Sequence, residues 1–423
     1  MMTFRIRGGR PLSGELSVSG SKNAALPILA ACLLIRETVE LSALPEISDT
    51  AAMLHLLTRR GVSVTRLSFG RYRIDASGAQ VSHAVSEEDG RIRGSLYLLG
   101  AELAAFGESE LGCPGGCNFG ERPIDIHLHA LRSLGAEVNE RQGRLYASAP
   151  CLEGNRVTLR YPSVGATVNA ILASTMARGR TILVGAAVEP HVFDLVAFLS
   201  SAGAKIQAPA PGVFVIEGGF RLHATEHRIL PDMIEAGSYL LMTAATRGEI
   251  LLRNAPTAQL KELLTILSGT GCEIASVRGD EVRLAMRRRP AAARAVTAPY
   301  PGFPTDLHPQ LAAYLALGDG VSEITETVFE GRFRYLSGLS RFGAQTRLHG
   351  SSVSIVGVPS LVGARVSAPD LRASAAYLTA ALAADGESLL CGAELLFRGY
   401  ETPLRKLRRL GAIISDGGAV CDS

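Results

Sequence analysis

The stretch Pro114-Gly115-Gly116-Cys117-Asn118-Phe119-Gly120-Glu121-Arg122-Pro123 puts one thiol in a glycine-rich loop, five residues ahead of an arginine. Its glycines leave the backbone few steric barriers. The fixed guanidinium of Arg122 lowers the pKa of a neighbouring thiol and can hold an oxyanion. Such a loop can present a reactive cysteine to an anionic substrate. Taken alone, it reads equally as a surface turn with an incidental cysteine.

A second group of chemically capable residues stands where apolar runs begin: Ser19-Gly20-Ser21-Lys22-Asn23, Arg91-Ile92-Arg93-Gly94-Ser95, Ser163-Val164-Gly165-Ala166-Thr167, Pro231-Asp232-Met233, Phe303-Pro304-Thr305-Asp306 and Pro369-Asp370-Leu371-Arg372. If helices open there, their unpaired N–H groups favour anions. Each motif singly is also an ordinary Ser or Asp cap. Together, with Lys22, Arg93 and Arg372 where a plain cap would do, they favour an anion-binding cleft formed by converging helix ends.

Stepping along the chain, an amphipathic segment, a glycine and a β-prone tail recur at Gly61, Gly135, Gly203, Gly271, Gly343 and Gly411, about every 70 residues. Such spacing is a repeat architecture, with glycine where a helix ends left-handed before a strand. A second phrase, an alanine-rich run stopped by a charged residue and glycine, recurs at Gly107, Gly179, Gly248, Gly320 and Gly386; the first unit, around 35–41, lacks the glycine. Segments 23–35, 167–176 and 373–384 are apolar nearly all round, the mark of helices buried on every side, whereas 125–134 is more amphipathic. The expected fold is α/β, with six repeats whose helices lie inside and whose sheets lie outside.

The chain's 423 residues allow two or three domains. A net charge of +3 without a Lys/Arg run gives no track for nucleic acid. Seven scattered cysteines (32, 113, 117, 151, 272, 391, 421) contain no CxxC pair and predict free thiols in a reducing compartment. No apolar run reaches membrane-spanning length, and the N-terminus has no signal-peptide core, so a cytoplasmic protein is expected. Cys113 stands four residues before Cys117, close enough for a reversible disulfide. His127 and His129 form an HxH pair without a third ligand at metal-like spacing, which reads as two helix-surface histidines. Walker, GxGxxG and GxSxG motifs are missing.

The phrases SGSKNAALP (19–27), PGGCNFGERPIDIH (114–127), SVGAT (163–167), FPTD (303–306), ETVFEGRF (326–333), APDLRASA (368–375) and RGYE (398–401) together resemble the UDP-N-acetylglucosamine 1-carboxyvinyltransferases. These are enolpyruvyl transferases of peptidoglycan precursor synthesis, hence of cell-wall biogenesis, cell shape and cell division, and siblings of 5-enolpyruvylshikimate-3-phosphate synthase. The resemblance implies two inside-out α/β prism domains of three repeats each, one at 22–229 and the other from 1–21 plus 230–423.

It further implies transfer of the enolpyruvyl group of phosphoenolpyruvate to the 3-hydroxyl of UDP-N-acetylglucosamine. No metal or organic cofactor is needed, the partners are these two small-molecule substrates with no nucleic acid and no membrane, and the cysteine is open to fosfomycin. By this resemblance Cys117 is the general acid and Asp306 receives the hydroxyl proton. Lys22, Arg122 and Arg398 hold phosphate; Arg332 and Arg372 lie near the carboxylate. Asn23 and Asp370 contact the reacting centre, and Arg93 is a further cleft arginine. Arg122, Pro123, Ile124, Asp125, Ile126, Ser163, Val164, Gly165 and Val328 correspond to the positions that hold the uridine diphosphate sugar.

Several polar residues of the family pattern are replaced here: a lysine by Tyr161, an arginine by Met233, an asparagine by Gly331 and an aspartate by Phe397, while the REPE-like phrase reads Val188-Glu189-Pro190-His191. Two alternatives therefore stand beside the main expectation. One is the same chemistry on another hydroxyl acceptor; the other is a non-catalytic UDP-sugar sensor.

Overall fold

Helices without a polar face must be covered all round, and sheets can cover them. The computed structural model of the chain describes residues 2–82, 92–112 and 124–418 and has this architecture in two compact units. Among the described residues, one unit holds 20–82, 92–112 and 124–230, and the other holds 2–19 and 231–418.

The buried helices of the first unit are Lys22–Ala31, Tyr97–Phe106 and Val164–Met176; those of the second are Met233–Ala245, His308–Leu315 and Leu371–Ala383. In the last of these every residue from Leu371 to Leu382 is buried. The expected helix over 23–35 ends earlier: its α-helical part is Lys22–Ala31, followed by a tighter turn at Cys32–Leu34.

Each unit carries three sheets. In one repeat of the second unit, Val321–Thr325 pairs antiparallel with Ser352–Val356, which pairs with Gln345–His349, and Arg294–Val296 joins the outer edge in parallel. The two-residue period turns Ser322, Ile324, Val353 and Ile355 inward and buries them. Four other sheets share this plan of three antiparallel strands and one parallel edge strand; the sixth has three strands among the described residues. The final sheet is closed by the start of the chain, since Thr3–Arg7 lies between Glu387–Cys391 and Ile413–Asp416.

The six repeat glycines all have left-handed backbones, from φ 79° at Gly61 to φ 104° at Gly203, so the repeated phrase reflects one repeated backbone requirement. The second phrase behaves differently at Gly248. There Arg247 takes the positive φ, and a Cβ on Gly248 would lie 1.9 Å from the Leu12 carbonyl oxygen. That glycine is required by a close backbone approach.

One cysteine expectation is corrected. Cys391 is disulfide-bonded, whereas Cys32, Cys151 and Cys272 are free. Pairing depends on how close two Cα atoms come in space, which spacing along the chain does not report. Cys113, Cys117 and Cys421 lie outside the described residues. Among the described residues, no helix is long and apolar enough to cross a membrane.

Candidate active site

Most of the predicted helix openings are true caps. Ser21 and Ser163 accept from Ala24 N and Ala166 N, each at 3.4 Å. Asp232 accepts from Ile234 N and Glu235 N, and Asp370 from Arg372 N and Ala373 N, at 2.7–3.0 Å. Asp306 is different. After Pro304 the chain makes a tight turn at Thr305–Leu307 with no side-chain cap before the His308–Leu315 helix. The Asp306 carboxylate instead accepts from Arg332 Nη2 at 2.5 Å and Arg372 Nη2 at 2.7 Å.

Both guanidiniums are almost fully buried, while the Asp306 side chain keeps 27% exposure. Burial opposes the charge of Arg372, but neighbouring Asp306 outweighs it and raises the pKa. The result is a fixed, charge-assisted pair of forks behind a partly open carboxylate.

This cluster is built on a buried carboxylate. Glu326 is 4% exposed and accepts from Thr297 Oγ1 at 2.9 Å, Val328 N at 2.7 Å, Phe329 N at 3.0 Å, Thr305 Oγ1 at 2.6 Å and His308 Nδ1 at 3.1 Å. Burial alone would raise its pKa; hydrogen bonds from His308 and Thr305 outweigh that and hold it down at about 2. Fully buried His308 has its pKa lowered by burial, against the opposing charge of Glu326. A neutral ring beside a carboxylate must donate from Nδ1, so Nε2 accepts the Tyr335 hydroxyl at 2.7 Å. Burial pushes the Tyr335 pKa far up and keeps that hydroxyl a donor.

These shifts give a signed pH dependence. His308 has a lower pKa folded than unfolded, so below about pH 6.5 the unfolded chain binds a proton that the folded chain refuses. Stability is full above that pH and falls by about 1.4 kcal/mol per unit until the folded pKa is reached. Glu326 acts in the same direction lower down, from about pH 4.3 towards 2. Urea unfolding between about pH 7 and 5 is expected to show this slope, reduced by one proton in His308→Gln; equal slopes in the two proteins would refute it.

In the other unit, half-buried Lys22 opens its helix with Nζ 3.5 Å from the buried Asp49 carboxylate, and half-buried Asn23 follows it. Arg93, also half-buried, begins the turn Arg93–Leu96 ahead of Tyr97–Phe106. Ser163, Val164 and Gly165 form the start of the Val164–Met176 helix. Ile124 precedes the Asp125–Ser133 helix, in which Asp125 is exposed and paired with Arg160 and Ile126 packs on the core. Back in the unit of Asp306, Arg398 ends the turn Ala393–Arg398 and is half-buried. Cys117, Arg122 and Pro123 lie outside the described residues, as does the Cys113–Cys117 pairing.

His127 is not on the surface. It is 5% exposed, its Nδ1 lies 2.9 Å from Asn169 Nδ2, and a Cβ on Gly165 would meet its Cε1 at 2.5 Å. Two positions apart on a helix, His129 faces the other way, exposed and 3.2 Å from the Thr158 carbonyl oxygen. Gly331 stands at φ 73°, a conformation that asparagine also tolerates, so its backbone role survives the replacement. Met233 and Phe397 pack on the core and Tyr161 is exposed.

The family model for EPSP synthase (3-phosphoshikimate 1-carboxyvinyltransferase) matches residues 6–407. A Gluconacetobacter diazotrophicus protein named UDP-N-acetylglucosamine 1-carboxyvinyltransferase is 43% identical over 420 residues, covering 98% of this chain and 99% of its own. The chain belongs to the UDP-N-acetylglucosamine 1-carboxyvinyltransferase family. UDP-N-acetylglucosamine 1-carboxyvinyltransferase 2 of Caldanaerobacter subterraneus subsp. tengcongensis is 40% identical, with 98% and 99% covered. Among solved structures, the enolpyruvyl transferase NikO from Streptomyces tendae gives a TM-score of 0.89 at 26% identity over 98% of both chains. EPSP synthase from Acinetobacter baumannii, at 19% identity, covers 98% of this chain and 99% of its own with a TM-score of 0.77, and shares the fold.

Within this carboxyvinyltransferase fold, the structure joins Asp306, Arg332 and Arg372 directly and ties Val328 to them through Glu326. Sequence reasoning did not single out Glu326, His308 or Asp49. The signal for Glu326 lay within ETVFEGRF, as an acid only six residues before Arg332.

Proposed function

We propose that the chain transfers the enolpyruvyl group of phosphoenolpyruvate to the 3-hydroxyl of UDP-N-acetylglucosamine and releases phosphate, in the cytoplasm, as the committing step of peptidoglycan precursor synthesis. The observation that carries the reading is the partly open Asp306 carboxylate backed by two buried guanidiniums. The reaction demands a base for an alcohol and fixed cations for a trianionic ester.

In this reading Asp306 takes the hydroxyl proton as the sugar oxygen bonds to the central carbon, and Cys117 protonates the methylene. The resulting tetrahedral adduct then returns a methyl proton to the Cys117 thiolate as its C–O bond to phosphate breaks, which restores the double bond and releases phosphate. Arg332 and Arg372 hold the carboxylate, and Lys22, Arg122 and Arg398 the phosphate. Asn23 and Asp370 serve the reacting centre. Arg93 is a further cleft arginine, and Arg122, Pro123, Ile124, Asp125, Ile126, Ser163, Val164, Gly165 and Val328 serve the sugar nucleotide. No electron changes hands, so the reading calls for no redox cofactor.

The test is phosphate release from phosphoenolpyruvate with and without UDP-N-acetylglucosamine. Release that requires the sugar nucleotide supports the reading, and a folded protein that releases none overturns it. One observation favours a second reading, transfer to a different hydroxyl acceptor: Tyr161, 39% exposed, stands where the family pattern has a lysine. A thermal-shift screen of UDP-sugars separates the two, because a true ligand raises stability by mass action.

A further inference from the structure

We propose that Glu326 is the positioning residue of the Asp306–Arg332 pair, acting through the Thr305 hydroxyl, with His308 as the buried brace of its carboxylate. The inference rests on the reading that Asp306 and Arg332 serve the transfer.

Five donors converge on the two Glu326 oxygens, which fills the acceptor capacity of a carboxylate. None is left for a substrate, so the role of Glu326 is exerted on its neighbours. For packing alone, an uncharged side chain would fill the site at lower desolvation cost. What the carboxylate supplies is direction. A threonine hydroxyl has one hydrogen; Thr305 gives it to Glu326 Oε2 at 2.6 Å and so turns its lone pairs to Arg332 Nη1 at 2.9 Å. The Arg332 fork is thereby split, with Nη1 on Thr305 and Nη2 on Asp306.

The other Glu326 oxygen takes the N–H groups of Val328 and Phe329 and pins the turn that leads to Arg332. Thr297, which donates to that oxygen, ties in a third segment; its own hydroxyl oxygen also accepts from Thr327 N at 2.9 Å. His308 holds Oε2 and is itself fixed by Tyr335. Every proton in the chain Tyr335–His308–Glu326–Thr305–Arg332–Asp306 therefore has one direction. A guanidinium held at both nitrogens cannot swing away from the carboxylate it orients.

The test compares Thr305→Val, Thr305→Ser, Glu326→Gln and Asp306→Asn in the full chain, by steady-state phosphate release with each substrate varied. Thr305→Val keeps the shape and removes the relay without burying a charge. It is expected to lower kcat/KM for phosphoenolpyruvate by about 10-fold or more while the KM for UDP-N-acetylglucosamine stays within about twofold. Thr305→Ser, which keeps the hydroxyl, restores most of the loss, and folded Glu326→Gln shares the Thr305→Val pattern. A merely structural role would lower the thermal midpoint and leave both constants of the folded protein unchanged. Wild-type constants in Thr305→Val and Glu326→Gln beside an inactive Asp306→Asn would overturn this inference alone. A wild-type chain that releases no phosphate would overturn the functional reading and this inference with it.

Discussion

Asp306→Asn is expected to cut phosphate release by about 1,000-fold while the protein still folds. The two side chains have nearly the same shape, so the change is chemical. An amide accepts no proton from an alcohol at neutral pH, and loss of a positioned base alone removes about 10²- to 10⁴-fold. The geometry adds to this. In the native cluster Oδ1 and Oδ2 each face a guanidinium N–H; in the variant, one of those N–H groups meets an NH₂ donor. Arg332 keeps Thr305 as a partner, so the fold survives with a loss of about 3 kcal/mol from the uncompensated buried charge. The check is kcat from phosphate release, with circular dichroism to establish folding. Retention of more than about a tenth of wild-type turnover would remove Asp306 from the role of base.

The repeats were legible because one backbone constraint forces one residue type: all six glycines sit in the left-handed region, where other residues are strained. The strand at Thr3–Arg7 was not legible as part of the last sheet, because its pairing with Glu387–Cys391 leaves no local trace. The arginines and Asp306 were visible by type and through the family pattern. Their convergence was not, because Asp306 lies 26 residues from Arg332 and 66 from Arg372 in sequence. Glu326 was not singled out, because the donors that meet on it come from separate segments of the chain. His127 was misread because a two-residue spacing puts the two histidines on opposite faces of the helix, one buried and one exposed.

Cys117→Ala is expected to have the largest effect, with phosphate release reduced by about 10⁴-fold or more. Proton transfer to carbon requires an acid held at the methylene. A thiol, with an ordinary pKa of about 8.5, is an effective donor near neutral pH; alanine offers no proton, and water is a far weaker acid. The residues proposed to hold the sugar nucleotide are untouched, so UDP-N-acetylglucosamine should still raise the thermal midpoint of the variant. The double variant with Asp306→Asn should lose little more than the worse single one, because acid and base act on the same addition step. Fosfomycin supplies an independent readout: its epoxide should alkylate the wild-type chain once, at Cys117, faster with the UDP-sugar present. Cys32 is expected to stay unmodified, since burial pushes its thiol pKa up and removes the thiolate. Release above about a hundredth of the wild-type rate in Cys117→Ala would show that another group protonates the carbon, and alkylation persisting in that variant would show that another thiol faces the substrate.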